Sequence, residues 1–565
     1  MKHITSAILK ISIAIIILSC SPSSQTGSKP EVESLPDIDI YLNQIGFSPG
    51  AYKSAVVKGW AGDFAIVGDG SEEIVYQGKL GPVEYWEPAG EDVSIADFSE
   101  LIKPGKYRLK IDNQFSTPFE VKTDIYDTIA VASLKAFYFH RLGIEIDSKY
   151  AGDYSRLAGH PDSVVMVHSS AATASRPEGS VISAPKGWYD AGDYNKYIVN
   201  SSITVCTMMS LFEHFPETVG GVDTNIPESG DATPDILDEI RWNLEWMLAM
   251  QDPEDGGIYH KLTSKAFGGM DLPHLDDSPR WVVMKTTSAA LDFTAAMAQA
   301  ARVYKAYDDA FATECLKAAE RAWKWAADHP NIHYDQPEDI QTGAYGQSPK
   351  DLDDEFYWAA TELAITTGTE YQVALPQNLI VPEWRNGAVV GLMNHIAHNP
   401  TTELKEAFFV LADSLAFNQL HSAWGVSNET FRWGSSGDFL NQAMVLLYAY
   451  HLSGTREYLN AAQATFDWVL GKNPLDYCFV TGFGSKPPMH IHHRPSEGDG
   501  ILDPIPGWVA GGPNPQNKYD CGESAYLSDS PAKAYLDQLC SYGTNEVAIN
   551  WNAPFVYVAF ALSGL

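Results

Sequence analysis

Two aspartates, Asp190 and Asp193, stand three residues apart in the segment Gly187-Trp188-Tyr189-Asp190-Ala191-Gly192-Asp193-Tyr194-Asn195-Lys196-Tyr197. The small residues between them permit a tight turn and the close approach of a ligand. Trp188, Tyr189, Tyr194 and Tyr197 supply flat apolar faces with polar edges, suited to stacking on sugar rings. Paired carboxylates beside such a surface point to glycoside hydrolysis, in which an acid and a base flank the scissile bond. The alternative for the pair alone is a loop whose aspartates cap a helix starting near Tyr194.

A third carboxyl, Glu546, lies in the stretch Ser541–Pro554, beside Tyr542, Val547, Ile549 and Trp551. Apolar surroundings disfavour the ionised form and raise a carboxyl pKa. That is the property of a general acid working near neutral pH. Taken alone, Glu546 reads better as a helix-start residue. In Pro488-Met489-His490-Ile491-His492-His493-Arg494, imidazole and guanidinium groups offer hydrogen bonds to sugar hydroxyls or a hold on a carboxylate. The histidine spacing matches no zinc motif.

These residues need a frame. A chain of 565 residues exceeds one ordinary core and predicts two or more domains. Between residues 37 and 122, Tyr107, Leu109 and Ile111 alternate with Lys106, Arg108 and Lys110, a half-buried strand. Short apolar runs at Ser54–Val57, Phe64–Val67, Ile74–Tyr76 and Phe119–Val121 are separated by Gly- and Pro-containing turns, the pattern of a small β-sandwich. From about Asp124 the periodicity becomes helical. Thr233-Pro234-Asp235 predicts a capped helix start, followed by the stripe Ile236, Leu237, Ile240, Leu244, Met247 and Leu248. Further helices are predicted over Thr286–Tyr307, Asp353–Thr367, Thr402–Leu415, Phe439–Ser453, Tyr458–Leu470 and Ser530–Gln538. Many helices joined by long aromatic and acidic loops predict a helical barrel whose loops build a groove.

The formal net charge of −34 argues against nucleic acid, anionic membrane surfaces and polyanionic substrates, and is compatible with a neutral polymer. At the N-terminus, Lys2 and Lys10 bracket the start of a short apolar run that ends at Leu18-Ser19-Cys20. This resembles a bacterial lipoprotein signal with lipidation at Cys20, followed by a Ser-, Pro- and Gly-rich tether over residues 21–36. The expected location is therefore the bacterial cell envelope, with the membrane reached through the lipid anchor alone. Five further cysteines, an odd number, cannot all pair, and no C-x-x-C is present.

In combination, the motifs resemble glycoside hydrolase family 9, the inverting cellulases. The D-A-G-D of Asp190 to Asp193, the F-V-T-G-F-G and H-H-R of Phe479 to Arg494, and Asn545-Glu546-Val547-Ala548 with Asn552-Ala553 occur in the family's order. Asn43-Gln44-Ile45-Gly46-Phe47 resembles the immunoglobulin-like domain that precedes the barrel in one branch. With the signal over residues 1–20 and the tether over 21–36 set aside, the resemblance implies an immunoglobulin-like β-sandwich over 37–122 and an all-α (α/α)6 barrel over 123–565. It implies Asp193 as general base, Asp190 as its partner in holding water, and Glu546 as general acid. His492 and Arg494 resemble sugar-contacting residues, Tyr542 a contact near the acid, and Trp433 a stacking residue of the cleft. Asp353-Asp354-Glu355 resembles a structural calcium segment in several members, its alternative being an acidic helix start. No cofactor is expected for the chemistry. The expected substrate is a cellulose-like or mixed-linkage β-1,4-glucan. A xyloglucan-directed enzyme and a non-catalytic glycan-binding lipoprotein are the alternatives, and three carboxylates in catalytic positions favour an enzyme. The segment Asn514–Ser530 departs from any readable pattern and leaves one side of the groove unassigned.

Overall fold

The computed structural model describes residues 38–346, 352–516 and 518–565. The signal segment, Cys20 and the tether lie outside the described residues.

The short β-branched and aromatic runs form two antiparallel sheets. In one, β1 (Ile40–Tyr41), β2 (Ser54–Lys58), β6 (Glu91–Asp97) and β5 (Glu84–Trp86) pair in that order; in the other, β4 (Ile74–Lys79), β3 (Asp63–Gly68), β7 (Gly105–Ile111) and β8 (Gln114–Phe115) do so, with β9 (Phe119–Val121) also on β7. The alternation in β7 sends Tyr107, Leu109 and Ile111 into the sandwich core with Phe64, Ile66 and Phe119. Strand β2 has no polar face. Its Ala55 and Val57 enter the sandwich core. Its Val56 joins the core of the helical domain. A strand covered on both sides reads as a continuous apolar run, which is why Ser54–Val57 does not alternate.

The long helices are α1 (Asp127–Phe139), α2 (Ile198–His214), α3 (Asp235–Ala249), α4 (Thr287–Val303), α5 (Asp309–Asp328), α6 (Asp353–Thr367), α7 (Ala388–His398), α8 (Thr402–His421), α9 (Ser435–Ser453), α10 (Arg456–Val469) and α11 (Ile549–Ser563). Helix α2 packs on α4, α4 on α6, α6 on α7, α7 on α8, α8 on α9, α9 on α11, and α11 returns to α2. Helices α1, α3, α5 and α10 pack against members of this closed circuit. Helices α2, α4 and α11 are buried almost all round, whereas α5 presents one buried stripe of Phe311, Ala312, Cys315, Ala319 and Ala322. A helix apolar all round is an interior one, and a one-sided stripe marks a helix facing water.

Several expectations are corrected. The segment 530–538 is not a helix and contains only a short turn at Pro531–Lys533. Its backbone is drawn to the sandwich instead, with the Ala532 N–H donating to the Pro88 carbonyl at 2.8 Å. Thr233 does not cap α3; Pro234 occupies that position with extended backbone and no side-chain cap. Helix α4 ends at Val303, four residues short of Tyr307, where the chain tightens into a 3₁₀ turn. Helix α8 runs on past Leu415 to His421. Among the cysteines, Cys521 and Cys540 form a disulfide, and Cys206, Cys315 and Cys478 are buried thiols.

The motif Asn43-Gln44-Ile45-Gly46-Phe47 is a junction between the two folds. Asn43 Nδ2 donates to Asp467 Oδ1 of α10 at 2.8 Å, and the Gln44 N–H to the Leu470 carbonyl at 2.9 Å. Phe47 fills the sandwich core.

Candidate active site

The D-A-G-D segment is not a helix cap. It runs through β10 (Lys196–Tyr197) into α2, which begins at Ile198. Its backbone is pinned from several sides. The Tyr189 N–H donates to the His140 carbonyl, the Asp190 N–H to the Asn195 carbonyl, and the Ile549 N–H of α11 to the Asp190 carbonyl at 2.9 Å. His140 Nδ1 donates to the Tyr189 carbonyl at 2.9 Å, and its Nε2 meets His493 Nε2 at 2.7 Å. Because a carbonyl only accepts, His140 carries its proton on Nδ1 and accepts from His493. The Tyr194 carbonyl accepts from Arg280 at 2.7 Å, and Arg280 also pairs with the buried Asp162, which Lys196 holds at 2.7 Å.

Glu546 approaches this segment through backbone contact. Ala191 bridges Ala548, and His492 bridges Glu546. A Cβ on Gly192 would lie 2.0 Å from the His492 carbonyl oxygen and 3.3 Å from Glu546 Oε1. The glycine between the aspartates therefore admits the strand that carries His492, rather than a ligand as the sequence suggested. The Gly192 carbonyl accepts from the Arg494 N–H at 3.1 Å and from Arg494 Nη1 at 2.9 Å.

Asp190, Asp193, Tyr542, Trp433, His492, Arg494 and Glu546 all line one cavity of about 770 Å³. Trp433, Tyr542 and Phe267 are exposed rings of its wall, the first two with centroids 5.7 Å apart. His492 Nδ1 donates to the Leu539 carbonyl at 2.6 Å, so its Nε2 is the nitrogen left for a ligand. Arg494 is buried, and its guanidinium is spent largely on the Gly192 and Gly268 carbonyls. It serves the position of the aspartate loop at least as much as contact with a sugar.

Three residues that the sequence did not single out orient the aspartates. Asn195 donates to Asp193 Oδ2 and is itself fixed by Thr263 Oγ1 and the Ser264 N–H, each 2.9 Å from its Oδ1. Asn200 Nδ2 donates to Asp190 Oδ1 at 2.5 Å, and the Tyr345 hydroxyl to Asp190 Oδ2 at 2.8 Å. Asn195 and Asn200 lie within ten residues of Asp190 and were legible as amides near a carboxylate. Tyr345 is 155 residues away and carries no local signal.

Burial pushes the Glu546 carboxyl well above the ordinary glutamate range, and the Asp193 charge adds to it. Burial and then the Asp193 charge push Asp190 up to about 8, against the hydrogen bonds from Asn200 and Tyr345. Environments of this kind keep a carboxylic acid protonated at neutral pH.

The proposed calcium segment is not a three-carboxylate cluster. Asp353 is exposed, while Asp354 and Glu355 are buried and face inward toward Asp292 of α4. No group of three His, Cys, Asp or Glu among the described residues is arranged to hold a metal. Asp354 Oδ2, both Glu355 oxygens and Asp292 Oδ1 nevertheless lack hydrogen-bond partners. Burial holds all three carboxyls above their ordinary range.

Residues 126–559 match the model of glycosyl hydrolase family 9, and residues 36–116 match the cellulase N-terminal ig-like domain. A xyloglucan-specific endo-beta-1,4-glucanase of Bacteroides ovatus is 40% identical over 97% of this chain and 96% of that protein. Endoglucanase D of Acetivibrio thermocellus is 31% identical over 99% of this chain and 86% of that protein. The solved structure of a Bacteroides ovatus GH9 protein superposes with a TM-score of 0.86 at 39% identity, covering 93% of this chain and 98% of that one. A metagenome-derived family 9 endoglucanase superposes with a TM-score of 0.85 at 33% identity, covering 94% and 99%.

Proposed function

The chain belongs to glycosyl hydrolase family 9, and on that premise we propose that it is an inverting endo-β-1,4-glucanase with Asp193 as general base and Glu546 as general acid. One observation carries the assignment of roles: Glu546, held well above the ordinary glutamate range, and Asp193, fixed by its neighbours, line the same cleft. Glu546 is half-buried, and desolvation and then the Asp193 charge push its carboxyl well above the ordinary glutamate range. Asp193 is oriented by Asn195, which is fixed in turn by Thr263 and Ser264.

In the proposed reaction a β-1,4-glucan lies along the cleft, stacked on Trp433 and Tyr542. Asp193 and Asp190 hold a water beneath the anomeric carbon, and Asp193 removes its proton as the water's oxygen forms the new bond to that carbon. Glu546 gives its proton to the departing glycosidic oxygen as the old bond breaks. The sugar passes through an oxocarbenium-like state and its anomeric configuration inverts. No cofactor enters any step. A cellulose-like or mixed-linkage backbone fits these roles. A xyloglucan-directed activity is the second reading, and it rests on the name of the Bacteroides ovatus relative. A non-catalytic glycan binder would have no need of a glutamate of raised pKa facing an oriented aspartate.

The test is a product profile on cellulose, mixed-linkage glucan, xyloglucan and cello-oligosaccharides. Reducing ends released rapidly from a soluble glucan, with inverted configuration by proton NMR, support the proposal. A retained configuration overturns it. Attachment to the bacterial cell envelope through lipid on Cys20 belongs to the same proposal, and Cys20→Ala should move the protein from membranes to the soluble fraction. A structural calcium held by Asp354 and Glu355 is proposed on the strength of their unpartnered oxygens.

A further inference from the structure

The segment that the sequence left unassigned, Asn514–Ser530, contains Cys521, which a disulfide joins to Cys540. Each cysteine adjoins a residue that holds one flank of Glu546. On one arm, Asp520 precedes Cys521. Its Oδ2 accepts from the Gly543 N–H at 2.8 Å, and its Oδ1 from the Tyr526 hydroxyl at 2.7 Å. Gly543 follows the cleft ring Tyr542 and precedes Glu546 by three residues. The Gly543 carbonyl is held from the same loop by Asn514 Nδ2 at 3.0 Å. On the other arm, Leu539 precedes Cys540 and accepts from His492 Nδ1 at 2.6 Å. Asp537, two residues earlier, accepts from the Met489 and His490 N–H groups at 2.8 and 2.9 Å and from Asn545 Nδ2 at 3.0 Å.

Both walls beside Glu546 thus hang from two strands of loop, and neither strand belongs to a helix or sheet. No regular secondary structure fixes their separation; the disulfide spans it covalently, beside the Tyr526 hydroxyl, which meets both Asp520 and Ser541. We infer that the Cys521–Cys540 bridge is a positioning device for the acid: it keeps Asp520 and Leu539 in register, so that Glu546 meets the departing oxygen. Full activity on glucan then requires the oxidised protein. A proton donor displaced by about 1 Å costs on the order of 10²-fold. The loss should fall on substrates whose leaving group needs a proton and spare those that leave unaided.

This inference rests on Glu546 being the acid, and the experiment separates the two. Three proteins are compared with the untreated wild type: wild type treated with dithiothreitol, which reduces the bridge to two thiols and is itself oxidised to its cyclic disulfide, Cys521→Ser/Cys540→Ser, and Asp520→Asn. Among the described residues the other cysteines, Cys206, Cys315 and Cys478, are buried thiols, so a dithiol acts on the bridge, whose Cys540 is exposed. Each is assayed on cellohexaose and on 2,4-dinitrophenyl β-cellobioside. The expected result is a fall of about 10-fold or more in kcat on cellohexaose, with the dinitrophenyl rate within about twofold of wild type. Asp520→Asn reproduces the selectivity with the bridge intact, which a fold-wide loosening would not do. Equal losses on both substrates, or no loss on either, overturn the inference. Glu546→Gln is the control. If it fails to show the same selectivity, the acid assignment falls and the inference with it. If it shows it and the bridge variants do not, the inference falls alone.

Discussion

Glu546 pays for its chemistry in stability, and that makes its role measurable twice. Burial and the Asp193 charge hold its folded pKa well above the unfolded glutamate value. A carboxyl with a raised folded pKa lends stability that is complete below the unfolded pKa of about 4.3 and is lost as pH rises through the folded one. Glu546→Gln carries no charge at any pH. Its melting temperature should therefore match wild type near pH 4 and exceed it at pH 8; a wild-type advantage at pH 8 would contradict the raised pKa. The same shift moves the alkaline limb of kcat/KM upward from the ordinary glutamate range, because activity is lost as Glu546 gives up its proton. On glucan, Asp193→Asn and Glu546→Gln should each lose about 10²- to 10⁴-fold, the usual worth of a proton-transfer group. On β-cellobiosyl fluoride, Glu546→Gln should recover and Asp193→Asn should not, since fluoride leaves without a proton but water still needs its base. Equal behaviour of the two on fluoride would dissolve the assignment of separate roles.

At the scale of elements, the three chemical segments were legible because each carries its chemistry within a dozen residues. What joins them was not. Gly192 read as room for a ligand, yet its missing Cβ is the space occupied by the His492 carbonyl. That contact spans 300 residues and depends on α11 and the 479–494 segment closing over the aspartate loop. Gly192→Ala places a carbon 2.0 Å from a backbone oxygen, where no rotamer change relieves the clash. The variant should lose about 10²-fold in kcat on both activated and natural substrates, since aspartates and acid move apart together. Wild-type rates would show that the two segments slide freely. The helices α6 and α10 were predicted within two residues because their apolar period is undisturbed. Segment 530–538 has helical composition, but backbone bonding to the sandwich wins over propensity. The calcium segment belongs to this scale too, since α6 brings Asp354 and Glu355 against Asp292 of α4. If calcium fills those oxygens, a chelator should lower the melting temperature and Asp354→Asn should abolish that response. A melting curve indifferent to chelator leaves the carboxyls to a shared proton.

At the scale of the molecule, one face of the sandwich's first sheet is built into the helical core, although the sequence reads as two textures. Tyr41, Val56, Trp86 and Val93 of the first sheet are buried with the helical residues and not with the sandwich. Trp86 packs 4.9 Å from Trp424 and 6.2 Å from Phe431, and its Nε1 donates to Glu429 at 2.8 Å. These partners lead directly to Arg432 and Trp433 at the cleft. Lys533 pairs with Glu91 at 2.7 Å, tying the disulfide-closed loop to β6. A linker-joined pair of domains would unfold in two steps, but this interface removes the apolar face of a whole sheet from water. Calorimetry should therefore show one cooperative transition, with calorimetric and van't Hoff enthalpies in agreement. Trp86→Ala should shift that single transition downward as a unit, by the roughly 3–5 kcal/mol that a buried tryptophan contributes. It should also lower activity on glucan at temperatures well below the transition, because the lost ring supports the loop that carries Trp433. Two resolved transitions in the wild type, with the lower one alone sensitive to Trp86→Ala, would show that the sandwich is an independent appendage.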